Sequence, residues 1–379
     1  MYFYKISSND YKKLFQKIGS DDLGAKIMAK KSDIHHLFIK DLHVGAANIL
    51  KQDALSIGAD LAVPIGTILA KDKYVDCVLI GTTKHFEILS KKELAQPFGL
   101  KTIAYELKSF TKKHNQKKQI MGIINANDDS FFQGSRFKNQ DAILKIESMI
   151  KDGADIIDIG GVSSRPGSDE VSQEEELARI KPICDAIKKN ELYKKVDFSI
   201  DSYSPMVVEY ALKSRFIIVN DITGLQNDDI AKLVAQYGAT IVIMHMKGKP
   251  KTMQNDVVYD DIIHEIDIFF KERIEKAEKF QIKNIILDVG IGFGKELEHN
   301  LVLLNNMEHF LHFGYEVLIA ASRKSMIDKI IPTKTEDRLA GTLAIHLNSL
   351  KKGASIVRCH DVKEHYQAIK TEEAINNIL

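Results

Sequence analysis

From Gln119 to Leu379 the chain alternates between short runs rich in Ile and Val and longer stretches whose apolar residues recur every three to four positions. The short runs suit strands covered on both faces, and the longer ones carry the stripe of an amphipathic helix. The pattern predicts strands at 119–126, 154–161, 197–202, 216–223, 240–247, 284–290, 316–322 and 354–361. It predicts helices at 139–152, 171–190, 205–213, 227–237, 258–281, 296–314, 337–352 and 362–378. Strict alternation makes the sheet parallel. Eight such units suit a closed (β/α)8 TIM barrel, a fold of about 250 residues. A doubly wound open sheet is the structural rival. Closure is favoured because polar residues end nearly every strand, rather than gathering at one switch point.

The first 110 residues read differently. Alternation through Cys77-Val-Leu-Ile-Gly81 and helical stretches near 45–57 and 91–97 predict a small α/β N-terminal domain. A polar, basic stretch over 108–118 reads as solvated, and 111–118 is taken as a linker to the barrel at 119–379. An interaction or assembly role is the expectation for 1–110.

Composition narrows the function. Apolar residues make up 44% and charged residues 28%, enough to fill a sizeable core. A formal net charge of +1 argues against nucleic acid or an acidic membrane as partner, so any anion site must be built locally. Cys77, Cys184 and Cys359 show no CxxC or zinc spacing, and reduced thiols in a cytoplasm are expected. The N-terminus lacks the pattern of a signal peptide, and no apolar run reaches the roughly 18 residues of a membrane span.

In a barrel the residues that follow each strand converge on one mouth. Here they include Asn125, Ser164-Arg165-Pro166-Gly167, Asp201, Asn220-Asp221, His245-Met246, Asp288, Ser322-Arg323-Lys324-Ser325 and Arg358-Cys359-His360-Asp361. Any one alone would read as a helix cap or solvated loop. Asp201, Asn220, Asp288 and Lys324 can form a planar set of donors and acceptors for a flat heterocycle, with the cation offsetting buried charge. Asn125, Ser164, Arg165, Arg358 and His360 suit a phosphate, since guanidinium pairs bidentately with its oxygens. Together they predict a site for a phosphorylated heterocycle.

Here the motifs become specific. Met121-Gly-Ile-Ile-Asn125 with Asp129-Ser130-Phe131, and Gly153-Ala-Asp-Ile-Ile-Asp-Ile-Gly160-Gly161 with Ser164-Arg165-Pro166-Gly167, are followed in order by Ser199-Ile-Asp201-Ser, Asn220-Asp221-Ile, Met244-His245-Met246, Asp288-Val-Gly290-Ile-Gly292-Phe293-Gly294-Lys295, Ser322-Arg323-Lys324-Ser325 and Arg358-Cys-His360-Asp361-Val. Residues 119–379 thereby resemble the dihydropteroate synthases, a pterin-binding barrel family. The resemblance implies displacement of pyrophosphate from 6-hydroxymethyl-7,8-dihydropterin diphosphate by 4-aminobenzoate, in folate biosynthesis. It implies that Asp201, Asn220, Asp288 and Lys324 hold the pterin, with Met246 and Phe293 against the ring. It implies that Asn125, with Mg2+, Ser164, Arg358 and His360 hold the diphosphate. Phe131, Arg165, Pro166 and Ser325 would meet 4-aminobenzoate and its sulfonamide analogues. Asp201, Lys324 and Arg165 would be catalytic, and a homodimer is the family's common assembly.

The chain also departs from that family. Ala126-Asn127-Asp128 replaces a small residue followed by Thr-Pro, Val162 replaces Glu, Ser164 replaces Thr, and Val289 replaces Pro. Losing Pro should loosen the first loop when open. Two other readings stand beside the synthase: a methyltransferase barrel acting on a methylated folate, and an inactive pterin-binding scaffold. The first needs no diphosphate anchor, and the second rests on the altered first loop. A second folate-pathway enzyme in 1–110 has no phosphate loop or acid–base cluster to support it. The glycines of 290–294 lack phosphate-loop spacing and read as tight turns. His35, His36, His43 and His85 lack ligand spacing and read as ordinary surface or core residues.

Overall fold

The computed structural model describes residues 1–3, 6, 8, 10–111, 117–126, 136–162, 171–248, 253 and 257–377. The chain forms two compact units, Met1–Lys113 with His312–Gly314 and Glu373–Leu379, and His114–Leu311 with Tyr315–Glu372.

The first unit holds a three-stranded antiparallel sheet, β1 (Ile34–His43), β2 (Asp60–Ala62) and β3 (Tyr74–Thr82), in the order β1-β3-β2. Helices Val44–Leu55, Thr83–Lys92 and Leu100–Phe110 pack an apolar core with it, including Leu50, Leu61, Leu79, Phe86 and Leu107. The stretch near 91–97 is not a helix of its own. It holds the last turn of Thr83–Lys92 and a 3-10 turn, Glu93–Ala95, because Pro97 turns Gln96 extended. The histidines have local roles: His35 Nε2 meets Thr83 Oγ1 at 2.8 Å, His43 Nδ1 accepts from Gly45 N, and His85 Nδ1 accepts from Thr82 N.

Glu93 is a buried carboxylic acid in this unit. It is fully buried, and no donor among the described residues reaches either carboxylate oxygen. Burial, reinforced by the Asp53 carboxylate, pushes its pKa up to about 7. The folded state therefore keeps a proton that the unfolded chain gives up at lower pH, and this unit loses stability as pH rises through that interval. Glu93→Gln should raise the melting temperature near pH 8 and change it little near pH 5, as paired thermal scans would show. An equal gain at both values would refute this.

The second unit is a closed barrel of eight parallel strands: β4 (Gln119–Asn125), β5 (Ile156–Gly160), β6 (Asp197–Asp201), β7 (Ile218–Asp221), β8 (Thr240–Met244), β9 (Asn284–Asp288), β10 (Glu316–Ile319) and β11 (Ile356–Cys359). Its helices are Arg136–Lys151, Gln173–Lys189, Pro205–Lys213, Asp228–Tyr237, Ile262–Lys279, Leu297–Asn305, Leu339–Lys351 and Val362–Asn377. The open-sheet rival is excluded, because β11 pairs with β4 and closes the circle. Two helix expectations change. The helix expected from 258 starts at Ile262, where the Asp261 side chain caps it by accepting from His264 N. The one expected over 296–314 divides into Leu297–Asn305 and a 3-10 segment, Met307–Phe313. Asn306 Nδ2 donates to Val302 O, drawing the break to that point. A short helix, Ser325–Ile330, is too brief to show periodicity.

Candidate active site

Parity along the strands builds the site. Met121, Ile156, Ile218, Val242, Ile286, Leu318 and Ile356 form one apolar layer inside the barrel. Two residues further on, side chains return to the same face. That step brings Asp158, Asn220, Asp288 and Arg358 to the inner face, one level nearer the C-terminal mouth. Asp201, closing β6, pairs in register with Gly160 and Asn220 and so joins the same level. A further step gives Asn125, Met246, Ser322 and His360.

Arg358 ties this level together. Its Nε donates to Asp158 Oδ2 at 2.6 Å and its Nη2 to Asp201 Oδ2 at 2.7 Å. Asn220 Nδ2 donates to the same Asp158 oxygen at 3.1 Å. A carboxylate can only accept, so the Asn220 amide is fixed with its nitrogen toward Asp158 and its oxygen turned away as an acceptor. Arg358 therefore lies on the carboxylate side of the site, beside the residues expected to hold the ring.

Charge is concentrated here. Asp158 is fully buried, and Asp288 and Asn220 are nearly so. Burial, with the charges of Asp158, Glu176 and Asp221, pushes Asp201 up to about 7 against the pull of Arg358. Burial likewise raises Asp288, opposed by Lys324 and by the Gly290 N–H donated to Asp288 Oδ1 at 2.7 Å. Burial lowers Lys324 to about 8, with Asp288 resisting. Arg358 differs: burial disfavours its charge, but Asp158 and Asp201 outweigh that and keep it protonated.

The β9 loop brings Lys324 and Phe293 together. Lys324 Nζ lies 4.5 Å over the Phe293 ring and donates to Ile291 O. Gly290 and Gly294 must be glycine. Both have positive φ, and an added Cβ would lie 1.9 Å from His245 O and 2.3 Å from Lys247 O. Lys295, 2% exposed, clasps this loop to the end of β8 through His245 Nδ1 at 2.9 Å and the carbonyls of Gly290, Phe293 and His245. Lys295 is thus structural, in keeping with the absence of phosphate-loop spacing.

On the other side of the mouth, Ser322 Oγ and His360 Nδ1 meet at 2.9 Å. Asn125 ends β4, and among the described residues its amide has no hydrogen-bond partner. Met246 is half-buried beyond β8, and Ser325 opens helix Ser325–Ile330. Phe131, Ser164, Arg165 and Pro166 lie outside the described residues. Cys359 is fully buried with an upward-shifted thiol, which suits packing and not catalysis. Sequence reasoning missed Asp158 and Glu176. A lone acid inside Ile156-Ile-Asp-Ile-Gly160 was the available signal, because an ionised group in an apolar strand demands a partner.

The profile of the pterin binding enzymes matches residues 121–360. The chain belongs to the pterin-binding enzyme family. A Helicobacter pylori relative, "Bifunctional dihydropteroate synthase/dihydropteroate reductase", is 40% identical over 373 residues, covering 98% of each chain. The crystal structure of Yersinia pestis dihydropteroate synthase with a sulfonamide drug complex is similar, at TM-score 0.64 and 36% identity over 69% of this chain and 95% of that one. Dihydropteroate synthase from Thermus thermophilus in complex with 4-aminobenzoate gives TM-score 0.61 and 32% identity, over 68% of this chain and 95% of that one. These two solved relatives each cover about two thirds of the chain, and the Helicobacter relative covers nearly all of it, the N-terminal unit included.

Proposed function

We infer that the barrel is a dihydropteroate synthase. It joins 6-hydroxymethyl-7,8-dihydropterin diphosphate to 4-aminobenzoate and releases 7,8-dihydropteroate and pyrophosphate. The observation that carries this is the bridged set of Asp158, Arg358 and Asp201 beside Asn220 and Asp288 at the barrel mouth. Such a floor pairs with the amino and ring N–H edge of a pterin. The methyltransferase alternative is set aside by the family relatives, which are dihydropteroate synthases along the barrel.

The chemistry is charge handling. The bond between the pterin methylene and the diphosphate oxygen breaks, and the aniline nitrogen forms the new C–N bond and loses one proton, which passes to solvent or to the departing pyrophosphate. Positive charge grows on the methylene and spreads into the ring, where the Asp201 carboxylate stabilises it. Lys324 and Phe293 hold the ring's other edge. His360, held by Ser322, lies where the departing anion gathers. The amide oxygen of Asn125 is a hard donor at the same rim, suited to Mg2+, which prefers oxygen ligands shared with phosphate. Bound there, the ion would neutralise charge on the leaving pyrophosphate. Arg165, with Phe131, Pro166 and Ser325, completes the proposal on the 4-aminobenzoate side, where sulfonamides would compete. Cytoplasmic residence and a homodimer belong to the same proposal. Among the described residues no helix is long and apolar enough to cross a membrane, and all three cysteines are free and buried.

The test mixes the purified protein, Mg2+, dihydropterin diphosphate and 4-aminobenzoate and follows dihydropteroate by chromatography. Product formation, with a sulfonamide competing against 4-aminobenzoate, is expected. Folded protein that forms no product would overturn the reading. We further propose a second activity, reduction of dihydropteroate, because the Helicobacter match extends across the N-terminal unit. Full-length protein given dihydropteroate and a reduced nicotinamide or flavin should then yield the tetrahydro product; its absence with both donors would refute this.

A further inference from the structure

Behind the β10 and β11 loops lie two histidines that the reaction does not use. His346, on helix Leu339–Lys351, and His365, on helix Val362–Asn377, are each 1% exposed. Ala321 N donates to His346 Nε2 at 3.1 Å, His346 Nδ1 meets His365 Nε2 at 2.8 Å, and His365 Nδ1 meets Asp361 O at 2.6 Å.

Both ends of this chain are backbone groups, so its polarity has one solution. A backbone N–H can only donate, so His346 Nε2 carries no proton and its Nδ1 must. His346 Nδ1–H donates to His365 Nε2, which leaves His365 Nδ1–H to donate to the Asp361 carbonyl. A proton added to either ring would set donor against donor. Burial also disfavours the charged form of both rings, with Lys324 adding to the effect at His346 and Asp361 and Glu364 opposing it at His365.

The relay joins the two loops that carry Ser322, Lys324, Ser325 and His360. Ala321 precedes Ser322, Arg323 and Lys324; Asp361 follows His360. Where the loops meet, Ser322 Oγ touches His360 Nδ1, and Arg323 donates from Nε and Nη2 to both oxygens of Asp361 at 2.9 and 2.7 Å. Arg323 has φ 55°, and its N–H is held by Thr342 Oγ1 on the same helix as His346. A strained residue persists only where its surroundings over-determine it. The helices therefore clamp the loops from behind.

We propose that His346 and His365 are positioning residues whose paired rings lock the β10 and β11 loops together and so shape the diphosphate-binding face around Ser322 and His360. This rests on the assignment of that face to the diphosphate. The relay is checked first by nitrogen NMR of histidine-labelled full-length enzyme at neutral pH. Both rings should be neutral with Nδ1 protonated; an Nε2–H tautomer or a charged ring in either overturns the proposal, with no variant needed. Its consequence is read by calorimetry with inorganic pyrophosphate and Mg2+. His346→Phe should weaken pyrophosphate by about tenfold, the cost of removing a hydrogen bond behind a ligand-holding group. KM for 4-aminobenzoate should change less than pyrophosphate affinity, since only Ser325 of its proposed contacts lies on the loop that the relay holds. His346→Gln, which keeps one acceptor and one donor, should restore the affinity. Normal pyrophosphate binding in His346→Phe would remove this inference alone. No pyrophosphate binding in the unaltered enzyme would remove the diphosphate assignment and this inference with it.

Discussion

Arg358→Ala is expected to reduce kcat/KM for dihydropterin diphosphate by about 10²–10³-fold or more, the scale for losing a preorganised electrostatic group. The guanidinium is the one cation bonded to both Asp158 and Asp201 among the described residues. Its removal leaves the buried Asp158 and the half-buried Asp201 without the one cation that bonds them both. Breaking such a pair from one side costs about 3–5 kcal/mol, far more than the net worth of an intact pair. The variant can lower that cost by protonating one carboxyl, and a protonated Asp201 no longer stabilises positive charge on the pterin methylene. The deficit should therefore appear in kcat as well as in pterin binding. Arg358→Lys should rescue little, because a single ammonium cannot span two carboxylates from one rigid fork. Steady-state kinetics with calorimetric binding of a pterin checks this. Activity within a few-fold of the unaltered enzyme would contradict the central role given to the bridge.

Why some of this was legible in the sequence and some was not follows from which groups act locally. The strands are fixed by apolar runs such as Ile156-Ile-Asp-Ile-Gly160, and each one lies within three residues of its expected ends. A parallel barrel leaves little freedom there, because both faces are buried and the spacing of helices sets the rest. The inner level of the site was legible for the same reason, since parity carries an apolar position two residues onward to Asn220, Asp288 or Arg358. Partner choice was not. Arg358 was expected to hold the diphosphate, and its bonds to Asp158 and Asp201 were not foreseen, the first of these carboxylates sitting in the middle of an apolar strand. Which carboxylate an arginine meets depends on strand register around the whole barrel, and no local pattern encodes it. The His346–His365 pair was invisible for a similar reason. Each looks like a lone histidine on an apolar helix face, and the two become a relay only when neighbouring helices pack.

A bell-shaped pH profile with closely spaced limbs is the second large expected effect. Asp201 must be ionised to stabilise a cation, and in the free enzyme it is pushed up to about 7. Lys324 must keep its proton to offset Asp288 and hold the ring edge, and it is lowered to about 8. A plot of kcat/KM for the pterin substrate reports groups in the free enzyme. Activity should fall about tenfold per pH unit below the lower limb and again above the upper one, peaking between them. Asp201→Asn separates the contributions. It should abolish the acid limb and lower the maximum by about 10²-fold, while the alkaline limb stays with Lys324. Lys324→Arg, whose charge does not titrate in this range, should do the reverse and flatten the alkaline side. If Asp201→Asn kept an acid limb at the same position, the carboxylate that controls the reaction would have to be another, and the cation-stabilising role assigned to Asp201 would pass to Asp288, whose carboxyl burial also raises.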